Sequence, residues 1–411
     1  MAKANTIIDQ LAGYSDRGHG MIRGMNRYAA AEVPVRRYRG EELSEIVGMS
    51  QQTISAAIKD GRLPPQDVDP ATNRRTGPSI GQILDIQEYF GTKRWRDDDE
   101  DPVVISFTNF KGGAWKTTSA WYAGSYFASR GYRVLFVDLD PQASLTQNFG
   151  IDPDIDTNHE SSLGPYILEE NGFPVELAGS AVRSTYSPLM DIIPATLQLA
   201  GVEYALSGAI ARSSAEDDGV EDAMFQWFQR VKDSLSEVRN GYDIVILDGT
   251  PSLGLLPLNI IFASDAVITP VPTETVDFAS TLAFVDLYRD NLETLANVFG
   301  DIDVPDIFFL PTRFSDVNAT SASTLVLDAI HETFGEMTFR TAIRRHEAVV
   351  SNLSTLRRTV FDVNQSDNLV DRRARKKAIE NFSEVYEEVL QRVVLPRWPS
   401  RSAELRTRGT Y

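Results

Sequence analysis

The chain has no cysteine and only four histidines, at positions 19, 159, 331 and 346. Without thiols there is no disulfide, no iron–sulfur cluster, no thiolate metal site and no cysteine nucleophile. The histidines are too scattered to mark a metal centre. Long apolar runs are missing too. Stretches such as Ile244–Leu247 and Leu255–Leu258 fall far short of the roughly 18 residues that span a bilayer. The first thirty residues carry Asp9, Asp16, Arg17, Arg23 and Arg27 around no continuous apolar core, which excludes a secretory signal. The expected location is the cytoplasm, with no membrane contact.

Basic charge is also in short supply, and unevenly so. Against 58 Asp+Glu stand 40 Lys+Arg, a net charge of −18 over 411 residues. Residues 1–96 carry a net +3, residues 97–339 a net −27 and residues 340–411 a net +6. An acidic middle between two mildly basic ends directs any nucleic-acid contact to the ends, unless those charges are simply solvated. With 42% apolar and 24% charged residues, the composition is that of a well-packed globular protein of roughly two to three domains.

The run Asp97-Asp98-Asp99-Glu100-Asp101-Pro102 reads as a linker, because like charges extend the chain and proline disfavours helix before it. The expected organisation is an N-terminal helical segment over 1–37, a small domain over 38–96, the acidic linker 97–101, a large domain over 102–370, and an amphipathic helix with a polar tail over 371–411. Short apolar segments at Val103–Asn109, Arg133–Asp138, Met190–Pro194, Asp243–Leu247, Ala266–Pro270 and Ile307–Leu310 alternate with helix-length stretches. That alternation predicts an α/β fold, a mostly parallel doubly wound sheet with helices on both faces.

The first of these strands runs into Asn109-Phe110-Lys111-Gly112-Gly113-Ala114-Trp115-Lys116-Thr117-Thr118, followed by a helical pattern that Gly131 stops. Strand, glycine loop and Lys-Thr at a helix start is an arrangement for holding a polyphosphate. Loop N–H groups and the positive helix end face the anion, Lys116 adds a point charge, and the Thr117 hydroxyl suits Mg²⁺. Phe110 and Trp115 occupy both glycine positions of the usual G-x-x-x-x-G-K-[ST] pattern. Two further strands end in acids: Asp138-Leu139-Asp140-Pro141-Gln142 and Asp248-Gly249-Thr250-Pro251-Ser252. In an open α/β sheet such ends converge on one crevice, where an acid holds the metal or orients the attacking water. Either aspartate alone reads more readily as a cap or a turn former; the Lys-Thr loop upstream favours chemistry.

Lys-Gly-Gly-x-x-Lys-Thr-Thr resembles the deviant Walker A motif of the ParA/MinD ATPases. The segments Val137–Ser144, Asp191–Thr196, Ile246–Gly254 and Ala263–Val271 are similar to ParA-type partition proteins, in the same order. The likeness covers about Pro102 to Val363. It implies an Mg-dependent ATPase that turns ATP into ADP and phosphate. Residues Lys111, Gly112, Gly113, Ala114, Trp115, Lys116, Thr117 and Thr118 would hold the nucleotide. Lys111 would be the signature lysine that reaches the other subunit's nucleotide in an ATP-bound homodimer, and Lys116 would bind phosphate. Asp140 would position the hydrolytic water, and Thr117, Asp138 and Asp248 would serve the Mg²⁺. Trp115 departs from the glycine more common in the family, and we expect it to permit ATP binding while slowing turnover.

Other branches fit less well. The cysteine-dependent iron proteins of the superfamily are excluded, and a MinD-like membrane helix is disfavoured. In Arg372–Val393 the apolar stripe Ile379, Phe382, Val385, Tyr386, Val389 and Leu390 is flanked by Glu384, Glu387 and Glu388, which suit an anionic membrane poorly. Packing against the ATPase core is the expectation.

Residues 38–59 read as a helix-turn-helix, which would make the N-terminal unit a small winged helical domain. Leu43, Ile46 and Val47 share a face, Gly48-Met49 breaks the helix, and Ser50 caps a second helix carrying Ile54 and Ile58 inward. Gln51, Gln52, Thr53, Ser55 and Lys59 would then face outward toward DNA, with Arg74 and Arg75 on a basic wing and Ile80–Phe90 as support. A generic helical domain is the alternative. In plasmid-type ParA and RepA proteins, which this arrangement resembles, such a domain represses its own operon. By the same resemblance Asn5–Tyr28 is a dimerising helix, weakened by its glycines. Arg340, Arg344, Arg345, Arg357 and Arg358, with Arg372-Arg373-Ala374-Arg375-Lys376-Lys377, either form a surface for non-specific DNA or pair with the acidic middle. The resemblance further implies a ParB-like centromere-binding partner that stimulates hydrolysis, operator DNA and non-specific DNA as ligands, and a nucleoid-associated protein. The alternative is a nucleotide-sensing repressor with little turnover.

Overall fold

Five-residue runs such as Val103–Phe107, Val134–Asp138 and Ile244–Asp248 are buried at every position, as strands covered on both faces must be. They belong to a computed structural model that describes residues 33–69, 73–93, 95–109, 111–170, 173–213, 225–251, 254–300, 302–315, 322–364 and 367–407, with positions 7, 10–18, 20, 21 and 24. Of the proposed dimerising segment 5–28, the described positions 7, 10–18, 20, 21 and 24 are helical, and the rest lie outside the described residues. The strands are β1 (Val103–Phe107), β2 (Val134–Asp138), β3 (Arg183–Ser184), β4 (Met190–Ile193), β5 (Ile244–Asp248), β6 (Ala266–Pro272) and β7 (Asp306–Thr312). They form one seven-stranded sheet in the order β3-β4-β2-β5-β1-β6-β7. Only β3 is antiparallel, to β4. The two-residue β3 had no apolar pattern to announce it.

From residue 33 on, the described helices of eight residues or more are α1 (Gly40–Val47), α2 (Gln51–Lys59), α3 (Ile80–Phe90), α4 (Lys116–Ser129), α5 (Leu199–Ser213), α6 (Leu255–Phe262), α7 (Thr275–Phe299), α8 (Ala322–Phe334), α9 (Glu347–Thr355), α10 (Arg372–Val389) and α11 (Pro399–Thr407). Alternate strand residues feed opposite faces of the sheet. Val134, Phe136, Ile244 and Ile246 join α4 and α10 on one side, whereas Leu135, Val137, Val245 and Leu247 join α5 and α6 on the other.

Helix α4 is the best-buried helix of the site, covered from Ser119 to Ser129 without a break. It lies so close to β2 that a Cβ on Gly124 would stand 2.1 Å from Phe136 Cζ and 3.0 Å from Ile246 Cδ1. The apolar stripe of α10 closes over it. Phe382 and Tyr386 are fully buried, and the Tyr386 hydroxyl donates to the Ser119 carbonyl at 3.1 Å. The tail beyond α10 is not polar throughout: Leu390, Val393, Val394, Leu395 and Trp398 are all core residues. Nor does the acidic run at 97–101 extend as free linker. The Glu100 carboxylate is buried and accepts the Ser400 N–H at 2.8 Å and the Arg401 N–H at 3.2 Å. Two unpaired N–H groups at the start of α11 outweigh charge repulsion here.

Ahead of the sheet, α1, α2 and α3 enclose their own apolar cluster of Tyr38, Leu43, Ile46, Val47, Ile54, Ala57, Leu63, Ile83 and Ile86. Ser50 caps α2 by accepting the Thr53 N–H at 3.1 Å, and Gly48 ends α1 at φ 71°. These helices rest on the end of α4. Glu45 pairs with Arg130 at 3.6 Å, and the Arg37 N–H donates to Asn364 Oδ1 at 2.7 Å. Buried Gln87 lies against Gly131, whose φ of +101° and close neighbour leave no room for a side chain. Among the described residues no helix is long and apolar enough to cross a membrane.

Gly124→Ala therefore overpacks the seam between α4 and β2, whose facing atoms belong to a buried ring. We expect a loss of about 1–3 kcal/mol, read as a lower midpoint in denaturant at unchanged slope. A wild-type midpoint would contradict the packing.

Candidate phosphate and metal site

The loop between β1 and α4 lies at the carboxyl edge of the sheet. Gly112 and Gly113 are exposed, with nothing within 4 Å of an added Cβ on either, and Gly113 takes φ +78°. Their backbone is thus open to an incoming anion. Ala114 is fully buried and anchors the loop. Trp115 stands at φ 66°, ψ 25°, immediately before α4. That left-handed conformation costs a bulky residue about 1–2 kcal/mol, and packing of the half-buried indole against the core offsets it. The glycine that the family more often carries would bear no such strain.

Lys116 is the first residue of α4 and is buried; its Nζ donates across the loop to the Lys111 carbonyl at 3.2 Å. Burial lowers its pKa, against the opposing pull of Asp248 and Asp140. Thr117 and Thr118 follow it, half-buried. Lys111 faces elsewhere: its Nζ lies 2.9 Å from Asp277 Oδ1 at the start of α7. Asn109 fixes the same turn. Its Oδ1 accepts the Lys111 N–H at 3.0 Å while its Nδ2 donates to the Pro270 carbonyl at 2.8 Å. Asn109 and Asp277 were not among the expected site residues. Asn109 stands two residues before Lys111, so a polar residue flanking the glycine loop is the local signal for it. Nothing local marks Asp277, because its partner lies 166 positions away.

The two strand-end aspartates are neighbours by register, since Asp138 and Asp248 pair across β2 and β5 and Phe107 of β1 stands level with Asp248. Both are fully buried. Asp138 is engaged by the protein. Its Oδ1 accepts the Asp140 N–H at 3.2 Å, and its Oδ2 accepts the Thr146 N–H at 2.8 Å and hydroxyl at 2.7 Å. Burial still pushes its pKa up to about 7, against those hydrogen bonds. The Thr146 oxygen in turn accepts the Ala195 N–H at 2.8 Å, which ties β2 to the segment after β4. Asp138 thus holds the loop carrying Asp140, which is 8% exposed and accepts the Gln142 N–H at 2.9 Å.

Asp248 is the freer carboxylate. Neither of its buried oxygens makes a hydrogen bond of proper geometry, although the Thr117 hydroxyl is close enough to favour its charge. Burial first, and the charge of Asp138 second, raise its pKa well above the carboxylate range. An orphaned buried carboxylate beside a threonine hydroxyl and a second acid is a donor set that suits a hard divalent cation, which would offset both penalties. Thr117 and Asp248 are therefore the residues that would hold one, with Asp138 beside them.

Asp248→Asn removes the buried like charge. We expect the variant to melt about 2 °C or more above the parent in metal-free buffer and to lose most of the further rise that Mg²⁺ with nucleotide gives the parent. An unchanged Mg²⁺ response would remove Asp248 from the metal site.

Residues 103–290 match the AAA domain family. Protein SopA of Escherichia coli (strain K12) is 31% identical over 373 residues, 89% of this chain and 90% of SopA. Sporulation initiation inhibitor protein Soj of Bacillus subtilis is 31% identical over 246 residues, 59% of this chain and 84% of Soj. Among solved structures, one described as Partition Protein shares the fold at a TM-score of 0.63 and 18% identity, covering 92% of this chain and 97% of that one. Apo McdA of Cyanthece shares it at a TM-score of 0.54 and 19% identity, covering 70% and 99%. With a relative at this identity over nearly its whole length, and with a phosphate loop of this form, the chain belongs to the ParA family of partition ATPases.

Proposed function

We propose that the chain hydrolyses ATP to ADP and phosphate in an Mg²⁺-dependent cycle that drives replicon partition. The observation that carries this is the convergence of Lys116, Asp140 and the unpartnered Asp248 at one end of α4. The loop from Lys111 to Thr118 binds the polyphosphate through backbone N–H groups and Lys116. A bound Mg²⁺ supplies charge neutralisation to the phosphate oxygens. Asp140, presented by the turn that Asp138 braces, orients the attacking water. Lys111 acts in trans: it leaves Asp277 and reaches the nucleotide of a second copy, so that ATP favours a homodimer.

The DNA-binding part of the reading rests on the N-terminal helices. Helices α1 and α2 form a helix-turn-helix with α3 as support, and Gln51, Gln52, Thr53, Ser55 and Lys59 are all exposed on α2. Arg74 and Arg75 are exposed on the following loop, where Val68 and Arg75 bridge in antiparallel fashion as a wing would. In this reading the ADP-bound or empty chain binds operator DNA through that surface and represses its own operon. The ATP dimer binds DNA without sequence preference, and a ParB-like partner stimulates hydrolysis and release. Retention on random-sequence DNA at fixed salt is expected with Mg-ATP and not with Mg-ADP or without nucleotide. Asp140→Ala should keep the ATP-dependent retention and lose turnover by roughly 100-fold or more. Equal retention under all three conditions would sink the partition cycle.

Strain at Trp115 favours a second reading, a nucleotide-sensing repressor that scarcely turns over. If the indole limits how the loop closes on phosphate, Trp115→Gly raises phosphate release several-fold at similar ATP affinity. Equal affinity and equal turnover would dismiss Trp115 as a brake.

A further inference from the structure

The N-terminal helices and α10 face each other across a cleft of about 810 Å³. Its apolar floor includes Ile46, Phe361 and Ile379. Three ion pairs cancel within its walls: Arg36 with Glu42, Arg130 with Glu45 at 3.6 Å, and Lys376 with Glu380 at 3.6 Å. What remains is strongly positive. Arg39, Arg372 and Arg373 are exposed, Arg375 is buried behind them, and Glu41 is the one acid left in the lining to answer four arginines.

Among the described residues none of these four arginines makes an ion pair, although the charges of Glu42 and Asp367 act on the buried Arg375. Arg39 spends its N–H groups on the carbonyls of Thr76 and Arg75. Arg375 donates to the carbonyls of Val360 and Val363 and leaves its Nε without a partner. Of the other carboxyl-terminal arginines, Arg345 pairs with Glu274 at 2.8 Å and Arg358 stacks 3.9 Å over the Tyr186 ring. Arg372 and Arg373 stand exposed at the start of α10, on the rim of this cleft.

The rim of the cleft also adjoins the start of α2, the proposed recognition helix. Gly40 opens α1, directly after Arg39, and a Cβ on it would stand 3.8 Å from Gln51 Nε2 at the start of α2. Arg39 therefore joins the cationic rim to the exposed face of α2. Most of the remaining chain repels a polyanion, with a net −27 over residues 97–339, so this rim is where phosphates are attracted.

We propose that Arg372 and Arg373 of α10, continuous with Arg39, bind the sugar–phosphate backbone of the same duplex whose bases α2 reads. Operator DNA is then held jointly by the N-terminal helices and the ATPase domain. This deepens the DNA-binding reading of α2 given above and rests on it. Backbone contacts of this kind set affinity and salt dependence, whereas base contacts set preference.

The two contributions separate in one experiment on the full chain with Mg-ADP. Binding is measured to a duplex from the region upstream of its own coding sequence and to a shuffled duplex, between about 50 and 200 mM salt. R372Q/R373Q should weaken both duplexes by the same factor, on the order of 10-fold, and lower the salt slope by about 2. The ratio between the duplexes and the turnover without DNA should stay at wild-type levels. R372K/R373K should restore the slope, and Q51A/Q52A should instead bring the ratio toward one. A wild type without preference would remove the α2 reading and this proposal with it. A wild type with preference, but with an unchanged slope in R372Q/R373Q, would overturn the joint surface and leave α2 standing. Loss of partner-stimulated turnover in R372Q/R373Q, at unchanged slope, would make the cleft a protein-docking site instead.

Discussion

Two carboxylates buried side by side at the end of a parallel sheet are the constraint around which the site is organised. Asp138 and Asp248 are level in register and both fully covered, so neither gains the solvation that would let both carry charge. The protein treats them differently. Asp138 receives three donors from its own loop, and Asp248 receives no proper hydrogen bond. One acid is thereby made a structural fixture, and in the proposed reading the other is completed by a bound cation. Lys116, itself buried and held by the Lys111 carbonyl, cannot complete it alone because burial works against the ammonium as well.

Such a cluster needs a rigid mount, and α4 supplies it. The helix starts at Lys116, runs covered along β2 with only Gly124 thin enough for Phe136, and ends where Arg130 and Gly131 meet Glu45 and Gln87. Helix α10 clasps it from the other side through Tyr386, and the Tyr126 hydroxyl donates to Glu387 at 2.5 Å. One buried helix therefore touches the phosphate loop, the carboxyl-terminal helix and the N-terminal helices. Any displacement of α4 would be felt at all three contacts, since packed interiors transmit displacement rather than absorb it.

Much of this was legible from residue order alone. The six predicted strands are all present, because strands buried on both faces leave short continuous apolar runs, and the aspartates fall at their carboxyl ends as the topology requires. On α2, Ile54 is buried as its spacing predicts, whereas Ile58 is only half-buried and Ala57 takes the second buried place. What escaped were partnerships across long separations. Asp277 meets Lys111, Glu100 meets α11, and Trp398 donates to the Asp101 carbonyl at 2.8 Å. Each is set by where the sheet brings two distant segments together, and no local pattern encodes it. The acidic run misled for the same reason: its charge density was visible, and the N–H groups that bury Glu100 were not.

Charge, finally, is sorted by position as well as by sequence. The basic residues near the carboxyl terminus do not form one uniform patch, because Arg375 turns inward and Arg345 and Arg358 find partners within the fold. Arg372 and Arg373 at the start of α10 stay exposed, and they lie beside the N-terminal helices rather than apart from them. In the proposed reading, a chain with so strong an acidic excess is held off DNA at most of its surface, so binding would depend on where a few exposed arginines stand. Their place at the junction between the N-terminal helices and the ATPase core would make such contact sensitive to how those two parts are docked. That docking rests on Arg130 and Gly131, at the far end of the helix that begins at the phosphate loop, and on the Arg37 N–H bond to Asn364.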